Sequence, residues 1–186
     1  MSLRVAIQMD PIESVNIAGD SSFALMLAAQ ARGYSLWHYD VRTLAWENSK
    51  ITAWAAPVTV RDVLGDHFTK GELRKIDLAT DIDVILMRQD PPFDLGYITA
   101  TLILERLEGQ TLVINDPASV RNAPEKMFVL DYARFMPPTL IARKLEDVQA
   151  FQQEHGAVVV KPLHGNGGKA IFKIDADGTN LSALFE

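Results

Sequence analysis

The sequence contains no cysteine among its 186 residues. Without cysteine, the chain has no disulfide, no thiolate nucleophile and no cysteine ligand for a metal ion. It also has few histidines, and His38, His67, His155 and His164 are scattered without the spacing of metal ligands. We therefore expect no histidine-based metal site. The lack of cysteine agrees with a reducing compartment such as the cytoplasm.

The sequence also lacks long apolar runs and long basic runs. A membrane-spanning helix needs roughly 20 apolar residues, which no segment approaches, and residues 1–7 are too short an apolar run for a signal peptide. The formal net charge is −6, from 24 acidic and 18 basic residues. We therefore expect a cytoplasmic protein whose partners include neither membranes nor nucleic acid. The length allows one large domain or two small ones.

The beginning of the chain indicates an open α/β sheet. Residues 3–9 form a compact apolar run that predicts a buried strand. Asp20 or Ser21 is a good N-cap for an alanine- and leucine-rich helix over residues 23–31, and residues 34–39 predict a second strand. A strand, a helix and a strand in this order are typical of the start of an α/β sheet.

Further strands and helices are predicted along the rest of the chain, which we divide near residue 122. The first predicted domain, 1–122, also contains strand or hairpin structure at 51–60, a loop with a short helix at 62–80, strands at 83–88 and 111–114, and helices at 97–107 and 117–121. The second, 123–186, contains helices at 125–132 and 143–155 and strands at 139–142, 157–161 and 170–174. The two architectures differ.

A glycine-rich loop is the strongest indication of function. The apolar run Val158-Val159-Val160 leads to Lys161, and Gly165-Asn166-Gly167-Gly168 follows shortly before a second apolar run. Successive free N–H groups in such a loop form a concave site for phosphate, and Lys161 supplies a cation near it. Lys126, from a different element, is a second candidate cation for the same nucleotide. The segment is typical of a hairpin that covers nucleotide phosphates.

Three other interpretations of this loop differ in how well they fit. The Walker A pattern fails twice, because Leu163 and Ala170 stand where it requires a glycine and a Ser or Thr. The dinucleotide-binding pattern matches Gly165, Gly167 and Ala170, but it requires a helix after the loop, whereas residues 170–174 favour a strand. An ordinary hairpin with a glycine-rich turn also fits these residues.

Polar residues follow the predicted strands at the edge where open α/β sheets bind ligands. Asp10 follows the first strand, and Arg88 and Asp90 lie where a later strand ends. Arg88 can bind a carboxylate through two hydrogen bonds, and the helix start at Asp20 and Ser21 favours anions. Together these residues predict a site for a small substrate with carboxylates. In the alternative interpretations, Asp20 only caps the helix and Arg88 only pairs with Asp90.

These residues together resemble the bacterial glutathione synthetases of the ATP-grasp superfamily. The block Met87-Arg88-Gln89-Asp90-Pro91-Pro92-Phe93-Asp94 is highly specific, and Met9-Asp10-Pro11-Ile12 and Asp20-Ser21-Ser22-Phe23-Ala24 resemble the N-terminal signature of the family. Glu125-Lys126 and Lys161-Pro162-Leu163-His164-Gly165-Asn166-Gly167-Gly168 are similar to its nucleotide-binding motifs. The resemblance covers essentially the whole chain. It implies an open, mostly parallel, Rossmann-like α/β sheet with helices on both faces, followed by the beginning of an ATP-grasp α+β domain.

The resemblance also implies an ATP-dependent carboxylate-amine ligase of glutathione biosynthesis. Such an enzyme joins glycine to γ-glutamylcysteine through an acyl phosphate, uses ATP and Mg²⁺, and releases ADP and phosphate. The residues that match the ATP-binding motifs are Lys126, Lys161, Gly165, Asn166, Gly167 and Gly168. Arg88, Asp20 and Ser21 are the matching candidates for substrate binding. The family further implies a homo-oligomer.

The chain departs from the family pattern in its extent. Family members have three domains, and this chain resembles the first domain and the opening of the central one. We expect the metal ligands in the third domain, assign no catalytic residue here, and expect residues 184–186 to lie inside a continuing helix and the chain alone to be an inactive fragment. The alternatives are another ATP-grasp ligase, against which the block at residues 90–94 argues, and a non-catalytic nucleotide-binding module.

Overall fold

The computed structural model describes residues 2–165 and 167–184 of the chain. The chain divides into two compact units, Met1–Asn122 and Ala123–Glu186. None of the helices in this described part is long and apolar enough to cross a bilayer. The first unit contains, in chain order, β1 Arg4–Gln8, α1 Ser21–Ala31, β2 Ser35–Tyr39, β3 Ala45–Glu47, β4 Lys50–Val60, β5 Phe68–Lys70, β6 Arg74–Asp77, β7 Val84–Met87, α2 Leu95–Leu104, β8 Leu112–Ile114 and α3 Pro117–Asn122.

Four parallel strands form the centre of the first unit, in the order β2-β1-β7-β8. Ile7 of β1 pairs with His38 of β2 on one side and with Leu86 of β7 on the other. Parallel neighbours need crossover connections, and α1 and α2 provide them between β1 and β2 and between β7 and β8. The predicted α/β class with an open parallel sheet is confirmed.

Helices cover both faces of this sheet. Successive side chains of a strand point to opposite faces, so neighbouring residues of β1 pack into different core clusters. Val5 and Ile7 of β1 belong to one core cluster together with Phe23 of α1. Ala6 belongs to the other cluster, which contains Leu104 of α2. Phe23 and Leu104 are almost completely buried, and burial of a side chain of this size contributes about 1.5–3 kcal/mol. The predicted helical layers on both faces are thus observed.

The 11-residue strand β4 carries the antiparallel part of the 8-stranded sheet. It pairs with β2 and β3 along one edge and with β5 and β6 along the other; Ala55, for example, pairs with both Tyr39 and Arg74. The loop with a short helix that we predicted at 62–80 is therefore wrong, since β5 and β6 lie there. Both strands are short and mostly polar, and their pairing with β4 stabilises them more than any local pattern does.

The second unit contains α4 Glu125–Phe128, α5 Leu145–His155, β9 Val158–Val160 and β10 Phe172–Ile174. β9 and β10 form an antiparallel hairpin, so the strand predicted after the glycine loop is confirmed. Gln152 of α5 is buried, and its Nε2 donates to the carbonyl oxygens of Asp175 over 3.2 Å and of Ala176 over 2.8 Å. α5 therefore holds the turn that follows β10.

Two predictions for the second unit are wrong. The helix predicted at 125–132 ends at Phe128 and continues as a 3-10 helix, Val129–Phe135, in which Tyr132 has non-helical dihedral angles. No strand forms at 139–142: a strand needs a hydrogen-bonded neighbour, and this segment pairs with none of the strands of the described chain. At the end of the chain, Ser182–Leu184 form a 3-10 helix, and residues 185 and 186 of the predicted continuing helix lie outside the described residues.

Candidate functional site

The carboxyl ends of β1 and β7 meet at one edge of the parallel sheet. The amide of Arg88 donates to the carbonyl oxygen of Gln8 over 2.8 Å, which continues the pairing of the two strands. Beyond it, the amide of Asp90 donates to Oδ2 of Asp10 over 2.8 Å. The polar strand ends that the sequence predicted therefore lie together at the edge where α/β sheets bind ligands.

The guanidinium of Arg88 reaches the first turn of α1. Its Nε donates to the hydroxyl of Ser22 over 3.1 Å, and its Nη2 donates to the hydroxyl of Ser21 over 2.6 Å. No carboxylate of the described residues forms an ion pair with Arg88, so the alternative pairing with Asp90 is not observed. A partly buried cation next to the positive end of a helix favours a carboxylate or phosphate ligand.

Asp20 is the N-cap of α1. Its Oδ1 accepts a hydrogen bond from the amide of Phe23 over 2.7 Å. This contact satisfies one of the amide groups that the start of a helix leaves free. The capping role is therefore observed, and the role of Asp20 in substrate binding stays a prediction.

A buried polar chain beneath this edge was missed by sequence reasoning. Gln8 is fully buried; its Oε1 accepts from the hydroxyl of Tyr39 over 3.0 Å, and its Nε2 donates to Oε1 of Gln89. Burial raises the pKa of Tyr39, which keeps the hydroxyl protonated as a donor. A glutamine at the end of an apolar strand was the available signal, because a buried amide needs hydrogen-bond partners.

Tyr97 in the first turn of α2 adds a phenol near the same charges. Its amide donates to Oδ1 of Asp94 over 2.9 Å, which begins the helix, and its ring centroid lies 5.1 Å from that of Phe93. Partial burial raises the pKa of Tyr97; the positive charge of Arg88 opposes this change and the negative charge of Asp90 adds to it. The hydroxyl therefore remains a neutral hydrogen-bonding group around pH 7.

In the second unit, the loop between β9 and β10 contains the predicted phosphate-binding residues. Nζ of Lys126 donates to the carbonyl oxygen of Gly165 over 2.5 Å, which joins α4 to this loop. Gly167 and Gly168 have φ values of +63° and +73°, and this left-handed backbone is strained for any residue with a Cβ. Asn166 lies outside the described residues. The ammonium group of Lys126 therefore contacts the same loop that contains the two left-handed glycines.

Lys161 follows β9 directly, and its side chain is exposed. No acidic residue among those that the structure describes forms an ion pair with its ammonium group. Residues 167–170 form a turn and the next element is β10, so the helix that the dinucleotide-binding pattern requires does not follow the described part of this loop.

Comparison with known proteins assigns both units to one family. Residues 3–121 match the N-terminal domain of prokaryotic glutathione synthetase, and residues 125–186 match the ATP-grasp domain of the same enzyme. The chain belongs to the prokaryotic glutathione synthetase family. The resemblance based on the motifs is confirmed.

Curated members of the prokaryotic glutathione synthetase family are similar to the chain over its full length. The glutathione synthetase of Rhodopseudomonas palustris is 52% identical over 186 residues, and that of Bradyrhizobium diazoefficiens is 53% identical over 186 residues. Each alignment covers 100% of this chain and 59% of the relative. The chain therefore spans about three fifths of the length of these relatives.

Solved ATP-grasp ligases share the fold. The ligase PsnB in complex with a minimal precursor has a TM-score of 0.55 at 16% identity, covering 100% of this chain and 61% of that chain. D-alanyl-alanine synthetase A from Vibrio cholerae has a TM-score of 0.52 at 11% identity, covering 99% of this chain and 55% of that chain. At these identities the likeness concerns the fold alone.

Two clefts in the first unit of this glutathione synthetase family member lie away from the Arg88 edge. One, of about 450 Å³, is lined by residues that include Arg4, Trp37 and Arg74, and another, of about 490 Å³, by residues that include Leu112 and Pro117. Neither contains a predicted site residue. Residues 2–165 and 167–184 contain no group of three His, Asp or Glu residues that could hold a metal ion.

Proposed function

We propose that this chain belongs to an enzyme that joins glycine to γ-glutamylcysteine with ATP. The observation that carries the proposal is the family match over both units, residues 3–121 and 125–186. In the proposed reaction, a carboxylate oxygen of the dipeptide attacks the γ-phosphorus of ATP, and ADP leaves. The amine of glycine then attacks the acyl phosphate, loses a proton and displaces inorganic phosphate. Both steps move negative charge, which nearby cations stabilise.

In this proposal the second domain, residues 123–186, holds ATP. The ammonium groups of Lys126 and Lys161 bind its phosphates, and the loop residues Gly165, Asn166, Gly167 and Gly168 cover them. Glycines with positive φ let backbone amides approach the phosphates without an intervening side chain. The hydrogen bond from Lys126 to Gly165 supports this assignment, because it holds one ammonium group at the loop.

The first domain, residues 1–122, holds the dipeptide in this proposal. Arg88 binds one of its carboxylates, and Asp20 and Ser21 lie beside it at the start of α1. Within the described residues, Arg88 donates two hydrogen bonds, to Ser21 and Ser22, whereas a guanidinium has five N–H groups. The serines therefore fix the direction of the side chain and leave donors for a ligand.

The remaining parts of the proposal come from the family resemblance. Mg²⁺ accompanies ATP, and its ligands are assigned to the length of the relatives that this chain does not span. The enzyme acts in the cytoplasm as a homo-oligomer. Because the relatives are longer, the activity of the whole enzyme requires a test in a longer polypeptide.

A chimera tests the proposed reaction. It joins this chain to the segment of the Rhodopseudomonas palustris relative that the chain does not span. We expect release of phosphate from ATP when γ-glutamylcysteine and glycine are both present, and almost none when either is omitted. Release with D-alanine as the sole amino acid would instead assign the chain to another class of ATP-grasp ligase, and no release under any condition would contradict the proposal.

Variants of the same chimera test the two binding assignments separately. Lys161→Met should raise the KM for ATP and lower kcat, with a combined loss of about 10- to 150-fold, because a lost charged hydrogen bond costs roughly 1.5–3 kcal/mol. Arg88→Met should raise the KM for γ-glutamylcysteine by a similar factor and leave the KM for ATP near its original value. Lys173→Met is the matched control, since Lys173 is an exposed β10 lysine paired with Asp175. An equal effect of the control and of Lys161→Met would remove Lys161 from the site.

A further inference from the structure

Two buried histidines contact the loop that follows β1. His38 of β2 is 6% exposed, and its Nε2 lies 3.2 Å from the carbonyl oxygen of Asp10. His67, just before β5, is 9% exposed, and its Nε2 lies 2.8 Å from the carbonyl oxygen of Ile12. Two imidazoles from separate elements therefore contact the same short segment, residues 10–12.

Both contacts require the imidazole to be the donor, because a carbonyl oxygen only accepts. A neutral ring donates from Nε2 in the tautomer that carries its proton there. Burial lowers the pKa of His38; Lys70 also lowers it, whereas the carbonyl of Asp10 and the carboxylates of Glu13 and Asp40 raise it. His38 is therefore neutral at pH 7, and its hydrogen bond fixes one tautomer.

The loop between β1 and α1, which contains residues 10–12, is connected to the Arg88 region at both of its ends. At its start, the carboxylate of Asp10 accepts from the amide of Asp90 over 2.8 Å. Directly after the loop, Ser21 and Ser22 of α1 accept from the guanidinium of Arg88. A shift of the loop at Asp10 would therefore lengthen the hydrogen bond to Asp90, two residues after Arg88.

Packing alone does not account for histidine at these positions. His67 lies edge-on to Phe23, with ring centroids 5.7 Å apart, and to Phe68, at 4.9 Å. Ile12 is also fully buried beside this aromatic cluster. An apolar side chain would suit these surroundings, and a buried imidazole is costly unless it forms hydrogen bonds. At each position, histidine adds a hydrogen-bond donor to a carbonyl oxygen, which an apolar side chain lacks.

We propose that His38 and His67 are positioning residues. As hydrogen-bond donors they fix residues 10–12 and, through the carboxylate of Asp10, the segment at the end of β7 that carries Arg88. They shape the dipeptide site and do not touch the substrate. This inference rests on the proposed role of Arg88 in binding the substrate carboxylate.

Amide hydrogen exchange of Asp90, measured by NMR on this chain without ligand, tests the positioning itself. His38→Leu removes the donor and keeps an apolar side chain, whereas His38→Gln keeps an N–H group close to the position of Nε2. We expect the exchange of the Asp90 amide to become about tenfold faster in His38→Leu and to stay near the original rate in His38→Gln. His155→Leu, on α5 of the second unit, is the matched control and should have no effect.

The histidine tautomers give a readout that needs no variant. The ¹⁵N shifts of both rings in the unaltered chain should show a proton on Nε2. A proton on Nδ1 alone in either ring would overturn the inference, even if His38→Leu did not fold. Unchanged exchange of the Asp90 amide in a folded His38→Leu variant would also overturn it.

Calorimetry on the chimera with the Rhodopseudomonas palustris segment connects the positioning to the proposed function. We expect His38→Leu to bind γ-glutamylcysteine about tenfold more weakly with the affinity for ATP unchanged, and His38→Gln to restore the dipeptide affinity. Loss of affinity for both ligands would indicate a general structural role instead. If the chimera without substitutions binds no dipeptide, the proposed role of Arg88 fails, whereas the exchange and tautomer data still decide whether the histidines position the loop.

Discussion

Arg4 and Asp83 join the amino ends of β1 and β7 by hydrogen bonds to both carboxylate oxygens. The amide and Nε of Arg4 donate to Oδ2 of Asp83 over 2.7 Å and 3.1 Å, and Nη2 donates to Oδ1 over 2.7 Å. These hydrogen bonds, from the side chain of Arg4 above all, lower the pKa of Asp83 to about 2. The pair thereby fixes the relative register of the two central strands.

The low pKa of Asp83 predicts that the free energy of unfolding depends on pH in the acidic range. The folded-state pKa of about 2 lies below the ordinary value of 3.8, so the unfolded chain binds the proton more readily. The stabilisation is complete above about pH 4 and is lost as the pH falls toward 2. We expect the free energy of unfolding to fall less steeply over this range in Asp83→Asn than in the unaltered chain, as measured by urea denaturation. Glu108→Gln, which removes an exposed carboxylate, is the control; equal slopes in all three proteins would contradict the prediction.

The residues that the sequence predicted belong to local motifs. The residues that it missed form hydrogen bonds to partners far away in the chain. Arg88 and Lys126 were predicted because each belongs to a short motif that resembles the family, and their binding roles stay predictions. Gln8 was missed because its partner Gln89 lies 81 residues away, and His38 looked isolated until β2 placed it against the loop after β1. A hydrogen bond between distant segments leaves no local pattern, so only the fold reveals it.

Helix α1 depends on its first turn. The carboxylate of Asp20 caps it, and the hydroxyls of Ser21 and Ser22 connect it to Arg88. The same turn therefore both starts the helix and supports the candidate substrate site. Substitutions at Asp20 can separate these roles, because asparagine retains the capping oxygen and loses the charge.

Substitution of Asp20 should destabilise the first unit through the loss of the cap. We expect Asp20→Ala to lower the free energy of unfolding by about 1 kcal/mol and Asp20→Asn to lower it by much less, since asparagine caps helices nearly as well as aspartate. Urea denaturation followed by circular dichroism measures both values. An equally large loss in Asp20→Asn would show that the negative charge, not the cap, stabilises the helix.

At the scale of whole elements, the sequence predicted the helices and strands that are determined by their own residues. β7 is a continuous apolar run, β1 has three consecutive apolar residues at 5–7, and α1 has a cap and strong helix formers, so each was found. β5 and β6 have three and four residues, and they exist because β4 offers them the edge that β2 and β3 leave free. The segment at 139–142 has a similar composition to a strand but lacks such a neighbour in the described chain. Pairing, which the sequence does not display, decided these three cases.

The first unit has the components of an independently folding domain. Both core clusters consist entirely of its residues, and the sheet is covered by α1 on one face and by α2 on the other. All three tryptophans of the chain, Trp37, Trp46 and Trp54, also lie in this unit. Tryptophan fluorescence therefore reports on the first unit alone.

A polypeptide of residues 1–122 should fold without the rest of the chain. We expect a single cooperative urea transition with an m value of about 1–3 kcal/mol/M, the range for small proteins. The transitions followed by fluorescence and by circular dichroism should coincide with each other and with the fluorescence transition of the full chain. A non-cooperative transition, or one shifted to much lower urea, would show that residues 123–186 are needed for the fold of the first unit.

The place of β1 in the middle of the sheet has a consequence for synthesis. β1 needs β7 as a neighbour, and the residues joined at the starts of the two strands, Arg4 and Asp83, are 79 positions apart. At about 5–20 residues per second, translation takes roughly 4–16 s to deliver that neighbour. For this interval the side of β1 that faces β7 in the folded protein has no strand to pair with, so the apolar residues of β1 remain open to other contacts.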